Sequence, residues 1–294
     1  SINIIMKLTI IVILLLIIII IVVERHTPNT IESFETMKAT ININDTFDFS
    51  TEKYLSKFNE SDLKSRNLVG QNLVEIYNNS IVNPSTTQKQ ICSDIINSIC
   101  KQVSKRKHIK CMYEPWNIVL FKNIENNFPH THKNIILFPL NKLKNSEENQ
   151  ITFLHEQLHV FQKEYSVVFD DLYENYWGFK KLSAPINIPF DTRTNPDTPN
   201  LYWVFHEHIL LVKYNDSPTN LNDVTYIGYN INTNKSIELK NWKLFVDYFG
   251  TGNINYYHPD EISATMISNY CFNYNETTPA FNQMKRWYSK SLLI

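Results

Sequence analysis

The chain has 294 residues, enough for one large domain or two small ones and for a sizeable core. Hydrophobic residues make up 43% and aromatics 13%, which excludes a chain that is disordered throughout. A net charge of -1, from 28 basic and 29 acidic residues, supplies no cationic field for nucleic acid and argues against a DNA- or RNA-binding role.

From the N-terminus, the first feature is an apolar run, Leu8 to Val23, broken only by Thr9. Ile4, Ile5 and Met6 extend it, and Lys7 is placed to snorkel, so the run approaches the roughly 20 residues that a spanning helix needs. Its exit, Ile21-Val22-Val23-Glu24-Arg25, has no small-residue cleavage pattern, which favours an uncleaved signal anchor over a removed signal peptide. Lys7 on the short flank predicts a single-pass topology with the rest of the chain on the lumenal or extracellular side, or a secreted domain if the segment is cleaved. Sequons at Asn44, Asn59, Asn78, Asn215, Asn234 and Asn275 fit that side, although so Asn-rich a chain produces them by chance. Residues 1–25 are therefore read as an anchor, 26–66, polar and without a period, as a tether, and 67–294 as the folded domain.

Within that domain, Leu68 to Asn78 predicts a short helix and Ser85 to Val103 a longer one, with Ile91, Ile95 and Ile99 on one stripe. The basic cluster Lys105-Arg106-Lys107-His108 with Lys110 reads as a solvated loop. The cysteines Cys92, Cys100, Cys111 and Cys271 lack CxxC spacing; a Cys100–Cys111 disulfide and four free thiols both remain open. Asn117 to Phe121 and Asn134 to Phe138 are short apolar runs with polar or proline boundaries and predict strands. Ser146 can cap a helix whose first turn carries Glu147 and Glu148, running to about Glu164. A further helix is predicted over Val168 to Tyr176, ending near Gly178. Strands follow over Leu201 to Tyr214 and Val224 to Ile231, with helices over Pro259 to Tyr270 and Pro279 to Ser289, each opened by a proline. The fold class is α+β.

Inside the helix capped by Ser146 stands His155-Glu156-Gln157-Leu158-His159. Positions i and i+4 lie one above the other on a helix face, so the two imidazoles converge on one point and can begin a zinc site. Glu156, next to the first histidine, is placed to activate a zinc-bound water. Ile151, Leu154, Leu158 and Phe161 supply the buried stripe of the same helix. Two surface histidines on an amphipathic helix are the plain alternative.

An HExxH pattern in a helix behind a short strand resembles the zincin metallopeptidases. The longer metzincin pattern is absent, because Gln162 and Tyr165 stand where it has Gly and His. The resemblance implies a zincin-like domain: a small sheet packed on the HExxH helix, a sheet edge that receives the substrate backbone, and a mainly helical C-terminal part. It also implies one zinc ion with a third protein ligand. The gluzincin branch takes that ligand from a downstream helix, and Glu261, followed by Ala264, matches its Glu-x-x-Ala pattern, with Thr265 where Asp often follows. Asp170, Asp171 and His258 are rival third ligands. His258 and Tyr257, beside Glu261, are the favoured donors to the developing oxyanion, with Tyr256, His206 and His208 behind them. His206 and His208 alternate as on one strand face, an improbable second metal pair. Asn195-Pro196-Asp197-Thr198-Pro199 is turn chemistry that shapes either a loop near the cleft or a plain surface turn.

The expected function is that of a membrane-anchored zinc metallopeptidase acting on a peptide or protein. The alternatives are a catalytically silent zincin-fold structural or virion membrane protein, and a zinc hydrolase of non-peptide amides or esters.

Overall fold

The computed structural model describes residues 39–104, 114–182, 186–198, 202–251 and 256–291. The predicted anchor, the basic cluster at 105–110 and Cys111 lie outside them. Among the described residues no helix is long and apolar enough to cross a membrane, and Cys92, Cys100 and Cys271 carry free thiols.

Among the described residues, two sheets and eight α-helices make an α+β fold. The first sheet has three parallel strands, β1 (Ile41–Asn44), β3 (Trp116–Phe121) and β5 (Ile135–Pro139), closed by the antiparallel edge strand β4 (His130–His132). The short β2 (Ile81–Val82) pairs antiparallel with the end of β3. The apolar runs predicted as strands become β3 and β5, adjacent and parallel, with Asn117 opposite Ile135 and Phe121 opposite Pro139. Both are buried almost throughout, which is why they read as continuous apolar stretches without alternation.

The second sheet is an antiparallel meander in the order β10-β9-β8-β7-β6: β6 (Lys180–Lys181), β7 (Trp203–Phe205), β8 (His208–Tyr214), β9 (Val224–Asn230) and β10 (Ser236–Glu238). The single strand predicted over Leu201 to Tyr214 is instead a hairpin. His206 and Glu207 both have positive φ, 44° and 67°, and form its two-residue turn, a conformation whose twist matches the flanking strands. The two histidines therefore do not share a strand face.

Residues 39–66, read from sequence as tether, belong to the folded unit that runs from Ala39 onward. β1 extends the parallel sheet, and helix α1 (Glu60–Ser65) is closed by a capping box in which Asn59 and Asp62 exchange hydrogen bonds. The segment looked aperiodic because its pieces are only three to six residues long, too short for a helical or strand period to show.

Helices α2 (Leu73–Ser80) and α3 (Thr86–Ser104) follow, the latter burying Ile95 and Ile99 as its stripe predicts. α4 (Glu147–Glu164) is the helix with the His-Glu-His motif, started by Ser146, whose hydroxyl accepts from the Asn149 amide. α5 (Ser166–Asp171) runs into a π-turn over Leu172–Tyr176. α6 (Lys243–Phe249), α7 (Pro259–Cys271) and α8 (Pro279–Ser291) complete the chain. α4 packs on α3 on one side and on α7 on the other, and is buried at Phe153, Leu154, Leu158 and Phe161. α7 is buried on nearly every residue, so its polar groups must find partners inside the protein.

Candidate metal centre

The face of α4 that is not packed on the sheet turns His155 and His159 toward α7. Their ring centroids are 4.6 Å apart and their Nε2 atoms 3.0 Å apart. Glu261, in the first turn of α7, brings Oε2 to 3.3 Å from His155 Nε2 and 3.5 Å from His159 Nε2. Three donor atoms thus form a triangle with edges of 3.0, 3.3 and 3.5 Å. A tetrahedral zinc with bonds near 2.0–2.1 Å has ligand–ligand edges of about 3.3–3.4 Å, so the set fits that ion with small adjustment.

The outer contacts hold these donors in one orientation. Gln162, one turn beyond His159, donates through Nε2 to the Asp260 carbonyl and to Ser263 Oγ, both at 2.8 Å, so its Oε1 faces the imidazole. His159 Nδ1 donates to that oxygen at 2.7 Å, leaving Nε2 directed at Glu261. The second oxygen of Glu261 is occupied: Asn195 Nδ2 donates to Oε1 at 2.8 Å and the Tyr257 hydroxyl at 3.1 Å. Oε2 is left for the histidines.

Glu156 projects into the same cleft. It is 4% exposed, and its Oε2 has no hydrogen-bond partner. Burial pushes its carboxyl well above the ordinary range, and the negative charge of Asp197 adds to the effect. Burial alone would lower His159, but the Glu261 carboxylate outweighs it and raises the imidazole to about 10. Glu261 is held down in return by the two imidazoles against the opposing effect of burial.

The cleft encloses ≈ 340 Å³. Its walls include α4, the face of α7 over 261–269, the segment 193–197, Arg66, His130 of β4 and Tyr226 of β9. Asn195, Pro196 and Asp197 of the predicted turn therefore do lie at the cleft. Asp197 is buried, with a carboxylate oxygen within 4.8 Å of donor atoms of Glu156 and His159.

Asp197 also changes the sheet edge. β5 is an interior strand, covered by β4, so the outer edge beside α4 is β4 itself. In antiparallel pairing every second residue points its peptide groups outward, and in this three-residue strand that residue is Thr131. Asp197 Oδ1 accepts from Thr131 N at 2.5 Å and from its hydroxyl at 2.7 Å, while Lys163 Nζ donates to Thr131 O at 3.0 Å. The edge position expected to receive a substrate backbone is already filled by side chains of the chain itself.

The remaining sequence candidates lie elsewhere. Asp170 pairs with Lys181 at 2.6 Å and Asp171 accepts from Asn175 at 2.7 Å; neither joins the histidines. His258 is the N-cap of α7, where its Nδ1 accepts from the Asp260 amide at 3.2 Å, and it does not line the cleft. Tyr257 does line the cleft, but its hydroxyl serves Glu261. Tyr256 donates to both Glu276 oxygens, and neither His206 nor His208 reaches the cleft. Gln162 and Arg193 carry no role read from sequence, and Asn195 and Asp197 were read there only as turn residues. Only the dense turn residues around Asn195 hinted at any of them.

No protein-family model, curated protein or solved structure matches the chain. Among the described residues, what defines the site is a His–His–Glu donor set with a buried, unpartnered glutamate beside it.

Proposed function

We propose that the chain is a zinc-dependent hydrolase of the HExxH type, a gluzincin-like metallopeptidase, with His155, His159 and Glu261 holding the metal. The observation that carries this reading is the triangle of three donor atoms, 3.0–3.5 Å apart, with the unpartnered Glu156 oxygen in the same cleft. A zinc ion bound there supplies Lewis acidity, polarising a carbonyl and lowering the pKa of water. Glu156 is the group that takes a proton from the attacking water and returns it to the leaving amine. Asn195 and Tyr257 position Glu261, and Gln162 positions His159. The apolar run Leu8 to Val23 supports a membrane-anchored protein with this domain on the lumenal or extracellular side.

One observation favours a second reading. With Thr131 engaged by Asp197 and Lys163, an extended polypeptide cannot pair with β4 as an added strand. A short peptide held by side chains, or a small non-peptide amide or ester, fits the ≈ 340 Å³ cleft better than a long protein segment.

Metal analysis combined with substitution tests both. Wild type and Glu156→Gln should each carry about one zinc per chain, with hydrolysis of a mixed peptide library lost only in the variant. Glu261→Ala should lower zinc occupancy. Protein that retains zinc and cleaves no peptide, amide or ester would return the chain to the class of silent structural proteins.

A further inference from the structure

Arg193 stands on the wall of the cleft that carries His155, Glu156 and Glu261, and its side chain is only partly exposed. Its Nη1 donates to the Leu221 carbonyl at 3.1 Å, and its guanidinium lies 5.5 Å from the centre of the Tyr257 ring. The hydroxyls of Tyr226 and Tyr257 also face it. Among the described residues no carboxylate comes within ion-pair distance. The other arginine on this cleft is different. Arg66 is met by Asp62 at 2.9 Å and by Glu125 at 3.0 Å, and its charge is spent inside the fold.

A guanidinium has five N–H donors in a planar fork whose natural complement is a bidentate carboxylate or phosphate. One neutral carbonyl, two phenol oxygens and the Tyr257 ring face meet part of that fork, and none of them supplies a counter-charge. A cation held so, in a half-buried cleft already carrying its own donor set, gains a full counter-charge only when an anion arrives. The filled edge at Thr131 points the same way: since the backbone of a bound molecule finds no strand partner there, affinity has to come from groups inside the cleft.

Resting on the proposed peptidase reading, we infer that Arg193, flanked by the hydroxyls of Tyr226 and Tyr257, is a carboxylate-binding subsite that fixes one end of a short substrate beside the His155–His159–Glu261 centre. The carboxylate comes either from a free C-terminus or from an acidic side chain. The first source makes the protein selective for the last residues of a chain, the second for an Asp or Glu near the bond that is cut.

The test is affinity selection with immobilised Glu156→Gln protein, which binds without turnover, run zinc-loaded and again metal-free. Three pools of randomised N-acetyl tripeptides serve as probes: free acids, C-terminal amides without Asp or Glu, and C-terminal amides containing one Asp or Glu. The inference expects at least ten-fold enrichment of a carboxylate-bearing pool over the neutral amides. The free acids winning identifies a C-terminal subsite; the acidic amides winning identifies a side-chain subsite. Either preference must vanish in the Arg193→Gln form and survive in part in Arg193→Lys, which keeps the charge and loses the fork. A urea titration of each form confirms that it is folded. Equal retention of all pools, a preference untouched by Arg193→Gln, or no retention by folded protein overturns the inference. A preference that persists without zinc, in protein that never binds zinc, upholds the subsite while removing the metallopeptidase reading.

Discussion

Gln162 illustrates how much of the centre depends on a single amide. It accepts from His159 Nδ1 and donates to Asp260 O and Ser263 Oγ, so it ties α4 to α7 and selects the tautomer of His159 in one stroke. Gln162→Leu keeps the volume and removes every one of those bonds. Zinc affinity, measured by competition with a chromophoric chelator, is expected to fall about 10–100-fold, as it does when outer-sphere partners of metal-bound histidines are removed. The second expectation at this scale concerns protons. In the metal-free protein Glu261 raises His159 to about 10, so at pH 7–8 the imidazole is charged and zinc must displace its proton. Calorimetric titration in buffers of different ionisation enthalpy should show about one proton released per zinc. Affinity should weaken as pH falls, because protons and metal compete for the same lone pair. Binding without proton release would mean that His159 is not a ligand.

At the scale of the element, the segment 193–197 acts as a strap between sheet and helix. Asn195 reaches Glu261 on α7, and Asp197 accepts from the outward Thr131 N–H of β4. An unsatisfied buried N–H costs about 1–3 kcal/mol, so Asp197→Ala should lower unfolding stability by an amount in that range, read from urea denaturation. Faster amide hydrogen exchange at Thr131 should accompany it. Unchanged exchange there would show that solvent, and not Asp197, satisfies the edge. The helices were the more legible elements. Ser146, the two following glutamates and the 3.6-residue stripe announce α4, and Pro259 and Pro279 announce α7 and α8, because caps and periods are written within a few residues of where they act. The β7–β8 turn was illegible for the same reason in reverse. His206 and Glu207 are not turn-forming types, and only the pairing of the flanking strands holds them at positive φ.

Across the whole molecule, the two sheets are joined by a buried polar network. Arg66, just after α1, pairs with Asp62 and with Glu125 next to β4; Tyr54 donates to Glu125, as does Tyr77 in a very short contact. Tyr214 of β8 donates to Asp62 from the other sheet, and Thr194 Oγ1 donates to the same carboxylate at 2.6 Å. Burial would raise Glu125, but Arg66 outweighs it and holds the carboxyl at about 2. A carboxylate depressed in the folded state stabilises the fold fully above its unfolded value near 4.5. That contribution is lost as pH falls from about 4.5 to about 2. Stability measured across this window should drop steeply in wild type. Removing one partner of a buried pair leaves a bare charge, so Arg66→Ala should cost about 3–5 kcal/mol at pH 7, and its acid limb should be flatter. An acid limb identical to that of wild type would show that Glu125 is not held by Arg66.

What the sequence by itself determined is everything that repeats or ends within a turn or two: the α+β class, the helix that stacks His155 over His159, the glutamate between them, and the proline-capped helix bearing Glu261. What only the tertiary structure decided is which distant groups share the cleft. The meeting of residues 155 and 159 with residue 261, the strap carrying Arg193, Asn195 and Asp197, and the folding of 39–66 into the first sheet all depend on packing between elements far apart in the chain. Local pattern encodes a helical period because 3.6 residues close a turn. It carries no record of which helix faces will touch, since that is set by how the apolar surfaces of all the elements bury one another at once.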